Sequence, residues 1–261
     1  MRLDYEIVAR GILKSRERAK ESIKNGDIRV NGNVCTKPSH DIHENDDIIF
    51  TGKALKYAGR GGLKLEKALE FFSIDVKGLV CLDIGASTGG FTDCMLENGA
   101  EKVYAVEVGH GQLIERLACD SRVVSMEKTD IRDVESSVFE ILPQFVCTDV
   151  SFISLKLIIP HIYRLMDSRG SAVVLVKPQF EAGKSNIGKN GIVKSSAVHI
   201  RVLESIIQFC NETGFFIRGL CASPIKGGSG NTEYLLYLDR KSSENIICDI
   251  KKIVSEALQR S

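Results

Sequence analysis

This 261-residue chain predicts an α/β fold, a parallel-type sheet covered by helices on both faces, preceded by a small α+β module. Three features point to it. Strand and helix patterns alternate from residue 79 onward, the first fifty residues differ in character, and a glycine-rich turn follows the first strand of the alternating part. At roughly 150 residues per domain, the length calls for one core domain plus a smaller module.

The module begins with two helical patterns, 3–9 and 15–24, separated by Gly11, with Ser15 as N-cap of the second. Ile28-Arg29-Val30 and Val34 flank Asn31-Gly32, the dipeptide of a tight hairpin turn, and Ile48-Ile49-Phe50 supplies a further strand. The module is assigned to 1–52, a basic, glycine-containing linker to 53–61 and the core domain to 62–261. Leu63, Leu65, Ala68, Leu69 and Phe72 recur at helical spacing. Strands follow at 79–84, 102–108, 122–126, 144–149, 171–177, 215–222 and 233–238, and helices at 89–98, 111–119, 154–166 and 195–213. A last amphipathic stretch, 246–258, is expected to pack on the outside, and the glycines and lysines of 183–194 suggest a mobile lid.

Composition excludes several classes. With 43% hydrophobic and 26% charged residues, and 23 Gly against 5 Pro, the chain is neither disordered nor collagen-like. Lys+Arg number 35 against 34 Asp+Glu, a formal net charge of +1, so any attraction for nucleic acid must come from local patches. No apolar run approaches the roughly 20 residues of a spanning helix. The charged start, Met1-Arg2-Leu3-Asp4-Tyr5-Glu6, lacks a secretory signal, and a cytoplasmic protein is expected. Eight cysteines stand singly, without a CxxC pair or histidines at zinc spacing, so reduced thiols and no metal site are expected.

The turn Leu82-Asp83-Ile84-Gly85-Ala86-Ser87-Thr88-Gly89-Gly90-Phe91 carries the first chemistry. A dinucleotide fingerprint needs glycine where Ser87 stands, so that backbone can approach a pyrophosphate. A phosphate-binding loop ending in Gly183-Lys184-Ser185 would need glycine where Pro178 stands. S-adenosylmethionine has no phosphate, and a looser turn led by a carboxylate suits its adenosine and zwitterionic amino acid. Its expected contacts are Asp83, Gly85, Ser87, Thr88, Gly89, Gly90 and Phe91, with Asp149, Glu107 for the ribose hydroxyls and Asp130 for the adenine amino group. Lys64, Asp149, Lys177 and Glu233 complete the set, three of them at strand ends. Such a cluster is costly to assemble for stability alone, because desolvating the charges offsets their attraction.

The module is basic on one side: residues 1–37 hold nine Lys/Arg and five Asp/Glu. Arg2-Leu3-Asp4, Ser15-Arg16, Ala19, Ile23, Gly26, Val30-Asn31-Gly32, Pro38 and Asp46-Asp47-Ile48 resemble an S4 domain, a small RNA-binding module. Asn45 stands where that family commonly has Gly, in a turn expected to accept a left-handed residue. The resemblance implies an RNA surface carrying Arg2, Lys14, Arg16, Arg18, Lys20 and Arg29, extended by Lys56 and Arg60.

Over the rest of the chain, Gly59-Arg60-Gly61-Gly62-Leu63-Lys64-Leu65, residues 82–93, Asp149 to Ser154, Val176 to Glu181, Ser223 to Gly227 and Gly230 to Glu233 closely resemble the TlyA family. Those proteins join an S4 domain to an FtsJ-like ribosomal-RNA methyltransferase domain of Rossmann-like fold, and are often called hemolysin A. Gly59 departs from the serine of many relatives. The resemblance implies 2′-O-methylation of cytidine in ribosomal RNA, with the Lys-Asp-Lys-Glu tetrad falling on Lys64, Asp149, Lys177 and Glu233. Lys177 is then the expected general base, which requires a neutral amine. A pore-forming hemolysin would need a secretion route and an inserting segment. A non-enzymatic assembly factor leaves the tetrad unexplained, and a small-molecule methyltransferase leaves the basic module unexplained.

Overall fold

The computed structural model describes residues 1–13, 16–52, 56–188 and 190–259. The chain divides into two compact units, Met1–Leu55 and Lys56–Ser261.

In the first unit, helices α1 (Leu3–Ala9) and α2 (Arg16–Lys24) are followed by a three-stranded antiparallel sheet of β1 (Ile28–Val30), β2 (Asn33–Val34) and β3 (Ile48–Phe50), in the order β2-β1-β3. Asn31 and Gly32 both adopt positive φ, 50° and 80°, so the hairpin turn is the one the dipeptide predicted. Leu3, Ile7, Ala19, Ile23, Ile28 and Ile48 form the core. The expected cap, Ser15, lies outside the described residues. Asn45 is not among the residues with positive φ, so no left-handed residue is needed there.

The second unit is a seven-stranded sheet of β4 (Val80–Ile84), β5 (Lys102–Glu107), β6 (Val123–Glu127), β7 (Phe145–Thr148), β8 (Ser171–Val176), β9 (Phe216–Ala222) and β10 (Tyr234–Asp239). Its order is β6-β5-β4-β7-β8-β10-β9. All pairings are parallel except those of β10, which runs antiparallel to β8 and β9. Around it lie α3 (Gly61–Phe72), α4 (Gly90–Glu97), α5 (Glu115–Ala118), α6 (Ile159–Leu165), α7 (Pro178–Glu181), α8 (Ser196–Thr213) and α9 (Ile250–Gln259). The strands alternate between two cores. Val80, Leu82 and Ile84 face one that includes residues of α6, α8 and α9, and Cys81 faces the other with residues of α3 and α4.

Four expectations change. The helix at 111–119 shrinks to α5, because Gly111, Gln112 and Leu113 give their backbone N–H groups to the Glu127 carboxylate instead. The helix at 154–166 breaks into a 3₁₀ turn and α6, whose first turn holds Pro160, a residue that cannot donate in a helix interior. The stretch 246–258 becomes helical only from Ile250, where the Asp249 carboxylate accepts the N–H of Lys252. The linker shrinks as well. Within its described part, Tyr57 is buried with Leu65 and Cys94, and Asp93 accepts the Ala58 N–H at 2.7 Å, so this stretch joins the second unit.

Candidate active site

The topology brings the site together at one rim. Ile84 pairs with Thr148, and Thr148 with Val174, so β4, β7 and β8 end side by side, which is where open α/β sheets bind ligands. Because β10 is antiparallel, it starts where they end. Tyr234 pairs with Val176, which sets Glu233 beside Lys177.

The turn after β4 forms one wall. A cavity of about 130 Å³ is lined by Gly59, Arg60, Gly85, Ser87, Thr88 and Asp149, with Gly61, Ala86, Gly90 and Phe91 completing it. Gly85 has φ 82°, and a Cβ there would lie 3.1 Å from the Asp149 carbonyl oxygen, so only glycine keeps this cradle open. Ser87 is left-handed too, at φ 48°, and donates its N–H to Glu107 at 2.9 Å. Glu107 also accepts the Gly109 N–H. The lining is backbone-rich, with one carboxylate, Asp149, and one guanidinium, Arg60, which suits the ammonium and carboxylate of an amino-acid moiety.

Four sequence-predicted contacts lie outside that lining: Glu107, whose two oxygens accept the Ser87 and Gly109 N–H groups, and three more. Asp83 is fully buried and does not line the cavity; it accepts the Thr92 N–H and hydroxyl at 2.9 and 2.7 Å, tying β4 to α4. Burial pushes its carboxyl up to about 7 against those bonds. Asp130 is held by Arg132 through both oxygens, which lowers its pKa and occupies the acceptors expected to meet adenine. Gly89 does not line the cavity either; it caps α4.

The tetrad closes into one network. Lys64 Nζ, on α3, donates to Glu233 Oε2 at 2.8 Å and to Asp149 Oδ2 at 3.2 Å. Lys177 Nζ lies 2.5 Å from Asp149 Oδ1 and donates to Ser151 Oγ at 2.9 Å. Both lysines are 7% exposed and Glu233 is 2% exposed. Burial disfavours the Lys64 charge, but Asp149 and Glu233 outweigh it and hold its pKa above the ordinary value. Burial likewise opposes the Asp149 charge, and Lys64 and Lys177 outweigh it, so this carboxylate stays ionised. The arrangement keeps one fixed cation and one shared anion beside a second amine.

Sequence reasoning missed the groups around the tetrad. Gln179 donates to Glu233 Oε1 at 3.2 Å, while its own Oε1 is buried without a partner. Phe152 is 91% exposed yet left-handed, at φ 64°, and packs 5.0 Å from Phe180, whose ring lies 5.7 Å from Lys177 Nζ. A strained, exposed aromatic beside reactive groups is a functional signal that only backbone geometry reveals. Both rings stand in the motifs already singled out, but a motif does not say which of its members face solvent.

The expected RNA residues divide. Arg16 donates to the fully buried Asp4 at 3.0 Å and lies over the Tyr5 ring, and Arg2 donates to the same carboxylate at 2.9 Å. Burial opposes the Asp4 charge, and the two arginines hold its pKa below the ordinary value. Both arginines therefore build the first unit as well as facing its surface. Arg29 donates to the Gly32 carbonyl, Lys20 is half-buried, and Arg18 is engaged in contacts of its own. Lys56 pairs with Glu66, and Arg60 lines the glycine cradle. Lys14 lies outside the described residues.

Comparison with known proteins agrees with both units. The FtsJ-like methyltransferase family model matches residues 57–240 and the S4 domain model residues 1–48. Hemolysin A of Brachyspira hyodysenteriae is 42% identical over 91% of this chain and 99% of its own length. The 16S/23S rRNA (cytidine-2′-O)-methyltransferase TlyA of Mycobacterium tuberculosis is 39% identical over 91% of this chain and 89% of its own. A solved structure described as a hemolysin from Streptococcus thermophilus superposes with TM-score 0.82 at 45% identity, covering 99% of this chain and 96% of that one. An S-adenosylmethionine-dependent methyltransferase from Listeria monocytogenes, at TM-score 0.53 and 18% identity over 70% of this chain and all of that one, shares the fold. With the tetrad and glycine cradle in place, this chain belongs to the TlyA family, an S4 domain joined to an FtsJ-like, S-adenosylmethionine-dependent methyltransferase domain.

Proposed function

We propose that this protein methylates the 2′-hydroxyl of a cytidine in ribosomal RNA, acting on ribosomal subunits or assembled ribosomes in the cytoplasm. The observation that carries the reading is the Lys64–Asp149–Lys177–Glu233 network, set directly beside the glycine cradle. Gly85, Ser87, Thr88, Gly90, Phe91 and Asp149 would hold the cofactor, with Glu107 at its edge. When bound, S-adenosylmethionine supplies a methyl group already activated on a sulfonium.

The protein's task is to align and deprotonate a ribose hydroxyl, a weak acid and a poor nucleophile. Lys177 Nζ accepts the hydroxyl proton. Its ammonium form is then held by Asp149 Oδ1 and Ser151 Oγ, and the slight exposure of the side chain lets the proton pass to water. Lys64 keeps two carboxylates, while Lys177 shares one of them. The network therefore holds the Lys64 charge in place. Gln179 and Lys64 fix Glu233, whose carboxylate orients the ribose. Alignment of this kind can supply up to roughly 7–11 kcal/mol of the barrier, and base catalysis about 10²- to 10⁴-fold in rate.

RNA would be recognised in two ways. The S4 unit contacts phosphates through its basic residues, and Phe152 with Phe180 offers a stacking face for an unstacked base at the mouth of the site. No helix among the described residues is long and apolar enough to cross a membrane, so nothing in the helices favours the hemolysin name as a pore. The test is transfer of labelled methyl groups to small subunits, large subunits and intact ribosomes from cells lacking the gene, followed by digestion to nucleosides. Labelled 2′-O-methylcytidine is expected. No transfer to any of them, with cofactor binding intact, would redirect the assignment to another RNA or to an assembly role.

A further inference from the structure

Between Ala182 and Leu203 the chain carries Lys184, Lys189, Lys194 and Arg201 but no aspartate or glutamate, although its charges as a whole nearly cancel. The fold shapes this stretch into a concave surface. A cavity of about 470 Å³ is lined by Ser185, Asn186, Ile187, Lys194, Ser195 and Arg201, among others. Lys184, Lys194 and Arg201 are exposed, and none of the three has an ion-pair partner among the described residues. Of these, Lys194 and Arg201 line the cavity, and two unpaired like charges on one wall gain nothing internally and raise the local positive potential. The start of the 18-residue α8 opens onto the same cavity without a capping bond from Ser195, which adds to that potential.

This wall is fastened to the catalytic rim. Buried Asn231 accepts the Val193 N–H at 3.0 Å and donates to the Gly191 carbonyl at 2.9 Å. Buried His199 bridges the Val193 carbonyl at 2.9 Å and the Tyr234 hydroxyl at 2.8 Å. Asn231 stands two residues before Glu233 in the chain and Tyr234 directly after it. A ligand held here is thus registered, through hydrogen bonds, against the strand that presents the tetrad's glutamate.

Cations with hydroxyl and amide groups, and no carboxylate, make a site for an anion. We propose that this cavity holds a backbone phosphate of the RNA strand whose nucleotide enters the tetrad. The inference rests on the RNA methyltransferase reading and adds to it a phosphate anchor on the catalytic unit itself, separate from the S4 domain.

The test uses the full chain carrying Lys194→Ala and Arg201→Ala together, titrated with transcribed 16S and 23S ribosomal RNA over a range of salt concentrations. Low-salt affinity is expected to fall about tenfold, and the slope of log affinity against log salt to shrink by roughly 0.7–0.9 for each phosphate that is no longer neutralised. Cofactor affinity and Tm should stay at wild-type values, and Arg201→Lys should keep the wild-type slope. An unchanged slope overturns the proposal, as does a parallel loss of cofactor affinity, which would make the two residues structural. Inorganic phosphate alone should not saturate the site; tight binding of the free ion with an unchanged RNA slope would make it a small-anion site and overturn the proposal. A wild-type chain that methylates neither the subunits nor the intact ribosomes of cells lacking the gene would contradict the parent reading, while a reduced slope in the variant would still support the anchor.

Discussion

Val176 and Tyr234 pair directly across the antiparallel β8–β10 ladder, and this one register sets Lys177 and Glu233 side by side although 55 residues separate them in the chain. A slip of one residue would turn one of the two side chains to the other face of the sheet. The active site therefore depends on strand pairing as much as on side-chain contacts.

Lys64 is the keystone of the network because it satisfies two carboxylates at once. Lys64→Met leaves Glu233 buried without its cation, and removing one partner of a buried pair costs about 3–5 kcal/mol. Urea denaturation should show a loss of that order with methyl transfer abolished. A stability within about 0.5 kcal/mol of wild type, the range of an ordinary surface substitution, would mean the network is solvated and not structural.

Arg16 tests the division of labour in the S4 unit. Arg16→Ala removes a charged hydrogen bond to the buried Asp4, worth about 1.5–3 kcal/mol, so the unit should melt earlier as well as bind RNA less tightly. Lys20→Ala should weaken RNA binding with Tm unchanged. The outcome against this view is an Arg16→Ala protein with wild-type melting and lost RNA affinity.

Asp83 predicts a pH effect of defined sign. Its folded pKa is raised from 3.8 to about 7, so the unfolded chain releases this proton first as pH rises. The group's contribution to stability is fully present below pH 3.8, declines above it, and is lost by the time pH passes about 7. Asp83→Asn keeps an acceptor for Thr92 and cannot ionise. Relative to the variant, the wild type should lose stability between pH 4 and 7; a constant difference across that window would exclude the effect.

Gly85 reports on the cradle. Gly85→Ala forces a side chain into a left-handed backbone position, at a strain cost of about 1–3 kcal/mol, with the new Cβ against the Asp149 carbonyl. Calorimetry should show cofactor affinity reduced by about tenfold or more, in keeping with a strain of that size transmitted to the cavity wall. Wild-type affinity would place the cofactor elsewhere.

Much of this architecture was legible in the sequence, and the exceptions share a cause. Runs such as Val80 to Ile84 and Ala172 to Val176 are buried on both faces and announce central strands. The reversed direction of β10 has no local signature, because an apolar strand reads alike either way. Residues 111–114 have a helical pattern, but three backbone N–H groups were claimed by Glu127, a partner set by the fold. The tetrad could be named from motifs, while Asp83 and Asp130 could not be separated from true cavity residues. Whether an acid caps a helix, pairs with Arg132 or faces a ligand is decided by tertiary position.

Whether Lys177 takes the proton from the ribose hydroxyl is decided by single-turnover methyl transfer to ribosomal RNA by Lys177→Ala, with cofactor affinity measured on the same preparation. Lys177→Ala should transfer methyl groups about 10²- to 10⁴-fold more slowly than wild type at unchanged cofactor affinity. A folded Lys177→Ala protein that binds cofactor and transfers methyl groups at the wild-type rate would contradict it.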